Sequence, residues 1–175
     1  MKQWKLLLDF KGKSIVKQSL ENAMENCGQI VISGGFRIDD LKSHIGQIEN
    51  VQIIENPEYR KGMLSSIKAA LPYIQTDRFF ITLGDMPFIP PEVYGLMSGE
   101  EFDDVLFPVF HGKRGHPVLI NSSLIEGIKK ADDRLKMKEI LKPFRISEIQ
   151  IQSEGILLDI DTVRDYEKMT KEEFS

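Results

Sequence analysis

The chain has 175 residues, of which 41% are apolar and 29% charged, and its formal net charge is −4. That length supports a sizeable core and an expectation of one domain over residues 1–175. So mild a charge excludes a basic field for nucleic acid and a polybasic arm for a membrane. No apolar run is long enough to span a bilayer, and the N-terminus lacks the charged-then-apolar pattern of a signal peptide, so cytoplasm is the expected compartment. Cys27 is the only cysteine. It reads as a small hydrophobe in a reducing compartment.

In chain order, Lys5 to Phe10 is a short apolar run and Lys11-Gly12-Lys13 a turn. Ser14 stands where an N-cap belongs, and Ile15, Val16, Leu20, Ala23 and Met24 share one helical face that Gly28 closes. Gln29 to Ser33 reads as a strand, Asp39 to Ile45 as a short helix and Val51 to Ile54 as a second strand. After Asn56-Pro57, residues 62–71 look helical, and Arg78 to Leu83 is a strand. Pro90-Pro91-Glu92 opens a helix to about Met97, with proline tolerated in the first turn. Asp104 to Phe110 and Pro117 to Ile120 read as strands around a loop at residues 111–116. Leu135 to Leu141 is helical, Ile146 to Ile151 and Ile156 to Ile160 are strands, and Val163 to Met169 is a last helix before a charged tail. Strands alternating with helices predict an α/β fold: an open, mostly parallel sheet with helices on both faces and some antiparallel strands.

In such sheets ligands bind beyond the carboxyl ends of the strands. Asp85 follows the strand that ends near Leu83, with Gly84 before it for a turn or close approach and Pro87 after it. A carboxylate there can hold a hard cation such as Mg²⁺, or it can cap an ordinary turn. Asp159 and Asp161 alternate around Ile160 and share a face in an extended segment. Either could join Asp85 at a metal; alternatively Asp161 or Thr162 caps the last helix and Asp159 is solvated. Gly62 opens a helix with Ser65 and Ser66 in its first turn, a place for nucleotide oxygens or for plain capping. Gly112 and Gly115 bracket Lys113 and Arg114, and His116 precedes Pro117. That basic loop could meet an anionic substrate or be a solvated hairpin tip.

Four of these stretches stand in one order: GMLSS at 62–66, LGDMP at 83–87, RGHPV at 114–118 and DIDTVRDY at 159–166. Together they resemble the MobA-like nucleotidyltransferases, specifically the molybdenum cofactor cytidylyltransferase branch, over nearly the whole chain. The resemblance implies a glycosyltransferase-A-like, Rossmann-related fold. It implies transfer of CMP, or less readily GMP, from a nucleoside triphosphate to the phosphate of a molybdopterin cofactor, with release of pyrophosphate. Asp85 would be a Mg²⁺ ligand completed by Asp159 or Asp161. Gly62, Met63, Ser65, Ser66 and Gly84 would lie against the nucleotide, and Arg114, Gly115, His116 and Pro117 on the acceptor side.

The family opens with a strand and a Gly-rich loop of the form LAAGxSxRMGxxK. Here Met1 and Lys5 keep the spacing of its Met and Lys, with Lys2 in place of Gly, and Lys5 would be the cation near the phosphates. The first strand, central in that fold, and the loop amides are missing. An upstream start, a short form that closes the gap itself or with a partner's strand, and a binding-only homologue are the expected explanations. The rival functions are a non-catalytic cofactor- or partner-binding module for a molybdenum hydroxylase, and a sugar-nucleotide transferase.

Overall fold

The computed structural model describes residues 4–169, so Met1 and Lys2 of the family comparison lie outside the described residues. A 3-10 turn at Lys5–Leu7 leads into a small hairpin, β1 (Asp9–Phe10) against β2 (Lys13–Ser14). Next comes α1 (Ile15–Met24), capped as the sequence predicts: Ser14 Oγ accepts from the Lys17 amide at 3.3 Å and lies 2.7 Å from His44 Nε2. Ser14→Ala should cost about 1 kcal/mol of stability. The denaturation midpoint measures this, and an unmoved midpoint would deny the cap any role.

Then β3 (Ile30–Gly34), α2 (Ile38–Ile45), β4 (Val51–Glu55), α3 (Met63–Ala70) and β5 (Arg78–Ile81) alternate as expected. The remainder is α4 (Pro91–Ser98), β6 (Val105–Phe110), β7 (Lys113–Arg114), β8 (Val118–Asn121), α5 (Ile125–Lys130), α6 (Met137–Leu141), β9 (Ile146–Gln150) and α7 (Val163–Met169).

The sheet is mixed. β3 and β4 pair in parallel, Ile30 opposite Val51 through Gly34 opposite Glu55. A second sheet runs β5-β8-β6-β7 in antiparallel pairs, with β9 parallel on β6. Antiparallel pairing therefore takes a larger share than the βαβ rhythm suggested, because β6 and β8 are joined through β7 rather than by a crossover helix. Residues 111–116, expected as a loop, contain that short strand: Phe110 pairs with Lys113 and Val109 with Arg114.

Residues 156–160 do not form the expected strand. They continue a 3-10 turn, Glu154–Leu157, into an extended segment with no ladder partner. The segment lies in a closely packed setting. A Cβ on Gly155 would lie 2.0 Å from the Phe88 carbonyl oxygen, and β9 already occupies that edge of β6. The helix α5 was not expected; its six residues are too few to show a helical period, and Gly127 sits inside it.

β6 and β8 are buried on both sides. Val105, Val118 and Ile120 pack with α3, α5 and α6. Leu106 and Leu119 pack with Ala23 of α1 and with Val93, Tyr94 and Met97 of α4. A third cluster joins Val16 and Leu20 to Ile38, Leu41 and Ile45 of α2. Among the described residues β3 pairs only with β4, and β5 only with β8. A cavity of about 920 Å³ lies between β3 and β5, where the family resemblance places the central strand. No helix of the described residues is long and apolar enough to cross a membrane.

Candidate active site on the carboxyl rim

β5 ends at Ile81, and residues 82–84 carry the chain out to Asp85 at the sheet rim. Asp85 is held from three directions. Its carbonyl oxygen accepts from the Ile160 amide at 3.0 Å, which pins the segment bearing Asp159 and Asp161 beside it. The carbonyls of Pro87 and Ile89, on the same loop, each accept from the buried Asn22 side chain on α1 at 2.9 Å. Lys5 Nζ donates to Asp85 Oδ2 and to Asp161 Oδ1, each at 2.7 Å. The second carboxylate oxygen, Asp85 Oδ1, is buried without a hydrogen-bond partner.

Ile160 is buried, and the acids on either side of it are exposed, as alternation requires. Burial, then the charges of Asp161 and Asp85, push the Asp159 carboxyl above its ordinary range. Burial lowers the Lys5 ammonium, but its bonds to Asp161 and Asp85 outweigh that and its pKa is raised. The last helix is capped by Thr162: its amide and its hydroxyl both donate to Asp165 Oδ2 at 2.7 Å, and the Asp165 amide donates back to Thr162 Oγ1 at 3.1 Å. Asp161 is thereby left to Lys5.

His116 stands in the bend before β8, within electrostatic reach of Asp85 and Asp159. Its amide donates to the Ile156 carbonyl at 2.9 Å, and Nδ1 lies 3.4 Å from the Ile81 carbonyl. Burial lowers its pKa, against the Ile81 bond and the charges of Asp85 and Asp159. Folding therefore favours the neutral ring. Its stability contribution is complete above the unfolded value near 6.5 and is lost as pH falls through the lower folded value. His116→Gln should flatten the acid limb of the thermal midpoint between about pH 7 and 5, and an unchanged limb would exclude His116 as its source.

Gly115 and Pro117 are buried. A Cβ on Gly115 would stand 2.2 Å from the Ile156 carbonyl oxygen, so glycine is required there by close approach. Arg114 is turned elsewhere: its guanidinium pairs with Glu148 at 2.6 Å and lies 5.1 Å from the Phe107 ring centroid.

Gly62 opens α3 at φ +102, a conformation that favours glycine. Ser65 Oγ is fully engaged, donating toward the carbonyls of Gly62 and Glu58 and accepting from Asn56 Nδ2 at 2.9 Å. The same Asn56 amide reaches Ser66 Oγ at 3.1 Å. Met63, Ser66 and Gly84 line the cavity between β3 and β5. Gly84 is not at positive φ, and a Cβ there would meet only ordinary contacts, so the turn does not depend on it.

Two organising residues escaped the sequence reading. Asn22 follows Ile15 and Ser19 along the buried face of α1, so a polar residue at that period was a visible signal. Asn56 read as a breaker before Pro57, yet it is buried and ties the 56–58 turn to the start of α3.

Hard oxygen donors with one buried oxygen unpartnered suit a divalent cation. Among the described residues no group of three His, Cys, Asp or Glu side chains closes around one point, and Lys5 stands between two of the acids.

Acids and a lysine gathered beyond the carboxyl ends of an open α/β sheet suit the charge neutralisation that phosphoryl and nucleotidyl transfer require. Residues 1–150 match the MobA-like NTP transferase domain, and the chain belongs to that family of nucleotidyltransferases. It is 31% identical over 166 residues to the molybdenum cofactor cytidylyltransferase of Escherichia coli K12, covering 95% of this chain and 86% of that one. The fold is similar to that of Rv0371c from Mycobacterium tuberculosis H37Rv, with a TM-score of 0.84, 15% identity, and coverage of 98% and 91%. A manganese complex of Rv0371c matches at TM-score 0.76 with 16% identity, covering 95% and 91%.

Proposed function

We propose that this protein transfers CMP from CTP to the terminal phosphate of a molybdopterin-type cofactor. An acceptor phosphate oxygen attacks the α-phosphorus, the bond from that phosphorus to the bridging oxygen breaks, and pyrophosphate leaves with the electron pair. A divalent cation, Mg²⁺ in our reading, would be held by Asp85 with Asp159 and Asp161 and would neutralise triphosphate charge. Lys5 supplies a fixed positive charge at the same rim. Met63, Ser66 and Gly84 border the nucleotide; Gly62 and Ser65 shape the start of α3 beneath it. Neutral His116, with Gly115 and Pro117, forms the acceptor side, and Arg114 lies at its outer margin. We place the activity in the cytoplasm, upstream of a molybdenum hydroxylase that takes the finished cofactor.

The observation that carries this reading is the Asp85 carboxylate, bonded through one oxygen to Lys5 and buried without a hydrogen-bond partner through the other. The 31% identity to a cytidylyltransferase favours CTP over GTP. The test measures pyrophosphate release with CTP or GTP, Mg²⁺ and molybdopterin. Release with CTP at least about tenfold above GTP is expected, since pocket contacts that differ by one hydrogen-bonding edge discriminate by that much or more. Release with sugar phosphates but not pterin would overturn it.

A further inference from the structure

Asn56 stands just after β4, and its side chain is buried. Its backbone amide donates to the Gly34 carbonyl at 2.7 Å, which fixes it at the carboxyl end of β3. A backbone donor tells the two ends of its side chain apart. The Glu58 amide donates to Asn56 Oδ1 at 2.9 Å, so that atom is the carbonyl oxygen and the other end is the NH2 group. The NH2 group spends both its protons on neighbouring hydroxyls, Ser65 Oγ at 2.9 Å and Ser66 Oγ at 3.1 Å. The two hydroxyls then part ways. Ser65 is buried and donates toward the carbonyls of Gly62 and Glu58. Ser66 is half-buried in the first turn of α3, and among the described residues none accepts its proton. A helical serine ordinarily back-bonds to the carbonyl four residues earlier. For Ser66 that carbonyl is Gly62, which already takes the Ser65 amide and the Ser65 hydroxyl.

On the reading that Ser66 borders the nucleotide, we propose that Asn56 is a positioning residue which fixes Ser66 as a hydrogen-bond donor toward an oxygen of the bound nucleotide. A hydroxyl that already accepts from Asn56 has its proton left to give. Water takes that proton in the free protein; a nucleotide that excludes the water must take it instead, because an unspent donor is costly to bury. Nucleotides carry oxygen acceptors on base, ribose and phosphates. A donor fixed in advance meets such an atom without the cost of ordering a free rotor. Asn56→Asp inverts the arrangement at nearly constant shape. A carboxylate only accepts, so both serine hydroxyls turn inward to donate to it, and Ser66 then presents lone pairs to the ligand.

The experiment measures CTP binding to the full chain by calorimetry, with Mg²⁺ and without acceptor, for the unaltered protein, Ser66→Ala, Asn56→Asp and the double variant. Ser66→Ala should weaken CTP by about tenfold, the scale of one lost hydrogen bond. Asn56→Asp should weaken it further, since oxygen then faces oxygen. In the Asn56→Asp background, Ser66→Ala should cost nothing more or restore part of the loss, because the hydroxyl removed no longer donates outward. An asparagine that merely held the turn would give additive losses. In turnover, Asn56→Asp should raise KM for CTP far more than it lowers kcat. Should Asn56→Asp fail to fold, the unaltered chain decides: the side-chain amide protons of Asn56, followed by nuclear magnetic resonance, should shift on saturation with CTP. Additive losses, undiminished CTP affinity in Ser66→Ala, or unmoved Asn56 amide signals would overturn the proposal and leave the transfer reading standing. Absence of CTP binding to the unaltered chain would overturn both.

Discussion

Asp85→Ala is expected to lower kcat/KM for nucleotidyl transfer by about 10²–10³-fold while the fold is retained. Loss of one preorganised group facing transition-state charge has that scale. Asp85 is the least exposed member of the rim, at 17%, against 62% for Asp161. It is therefore the carboxylate whose orientation the protein controls best. Its Ile160 contact runs through the backbone carbonyl and survives the substitution. The stability cost should be small. An unpaired buried oxygen costs about 1–3 kcal/mol, and its removal offsets the lost bond to Lys5. Asp85→Asn, which keeps the shape and removes the charge, should be as inactive and within about 1 kcal/mol of the unaltered chain in stability. Steady-state kinetics beside chemical denaturation separates the two effects. Full activity in either variant would refute a role for Asp85.

Lys5→Met carries the second large effect. Lys5 now occupies ground between Asp85 and Asp161, where a divalent cation would find its oxygens. Without nucleotide, the ammonium and the cation compete for the same carboxylates. Removing the ammonium should tighten Mn²⁺ binding to the free protein by about tenfold, read by electron paramagnetic resonance, and still lower kcat/KM. Tighter metal with poorer catalysis is a pair of changes that a merely structural lysine would not produce. Weaker Mn²⁺ binding would show that Lys5 organises the acids instead of opposing the cation. The pH dependence has a definite sign. The folded pKa of Lys5 is raised above 10.5, so its ion-pair contribution is complete below that value and is lost only as pH climbs through the folded one. The stability difference between the unaltered chain and Lys5→Met should therefore stay level between about pH 6 and 9.

The sequence alone determined most of the regular elements. Ser14 announced α1, Pro90-Pro91 announced α4, and the β-branched runs announced β3, β4, β6 and β8, because capping, proline geometry and hydrophobic period are local. It also singled out Asp85, Asp159 and Asp161, since an acid after an apolar run is visible without coordinates. Only the tertiary structure decided which groups meet. Lys5 and Asp161 lie 156 positions apart yet share a hydrogen bond, and the Ile160 amide is spent on Asp85 instead of on a strand ladder. Arg114, legible as a cation for an anionic substrate or as part of a solvated hairpin tip, pairs with Glu148 across β6, because β7 and β9 flank that strand on opposite edges and the guanidinium passes over Phe107 between them. Ser65, legible as a hydroxyl for nucleotide oxygens or for plain capping, is engaged by Asn56 and two carbonyls. Long-range partners such as these follow from strand order and packing, and one chain's local pattern carries no record of which distant edge it will face.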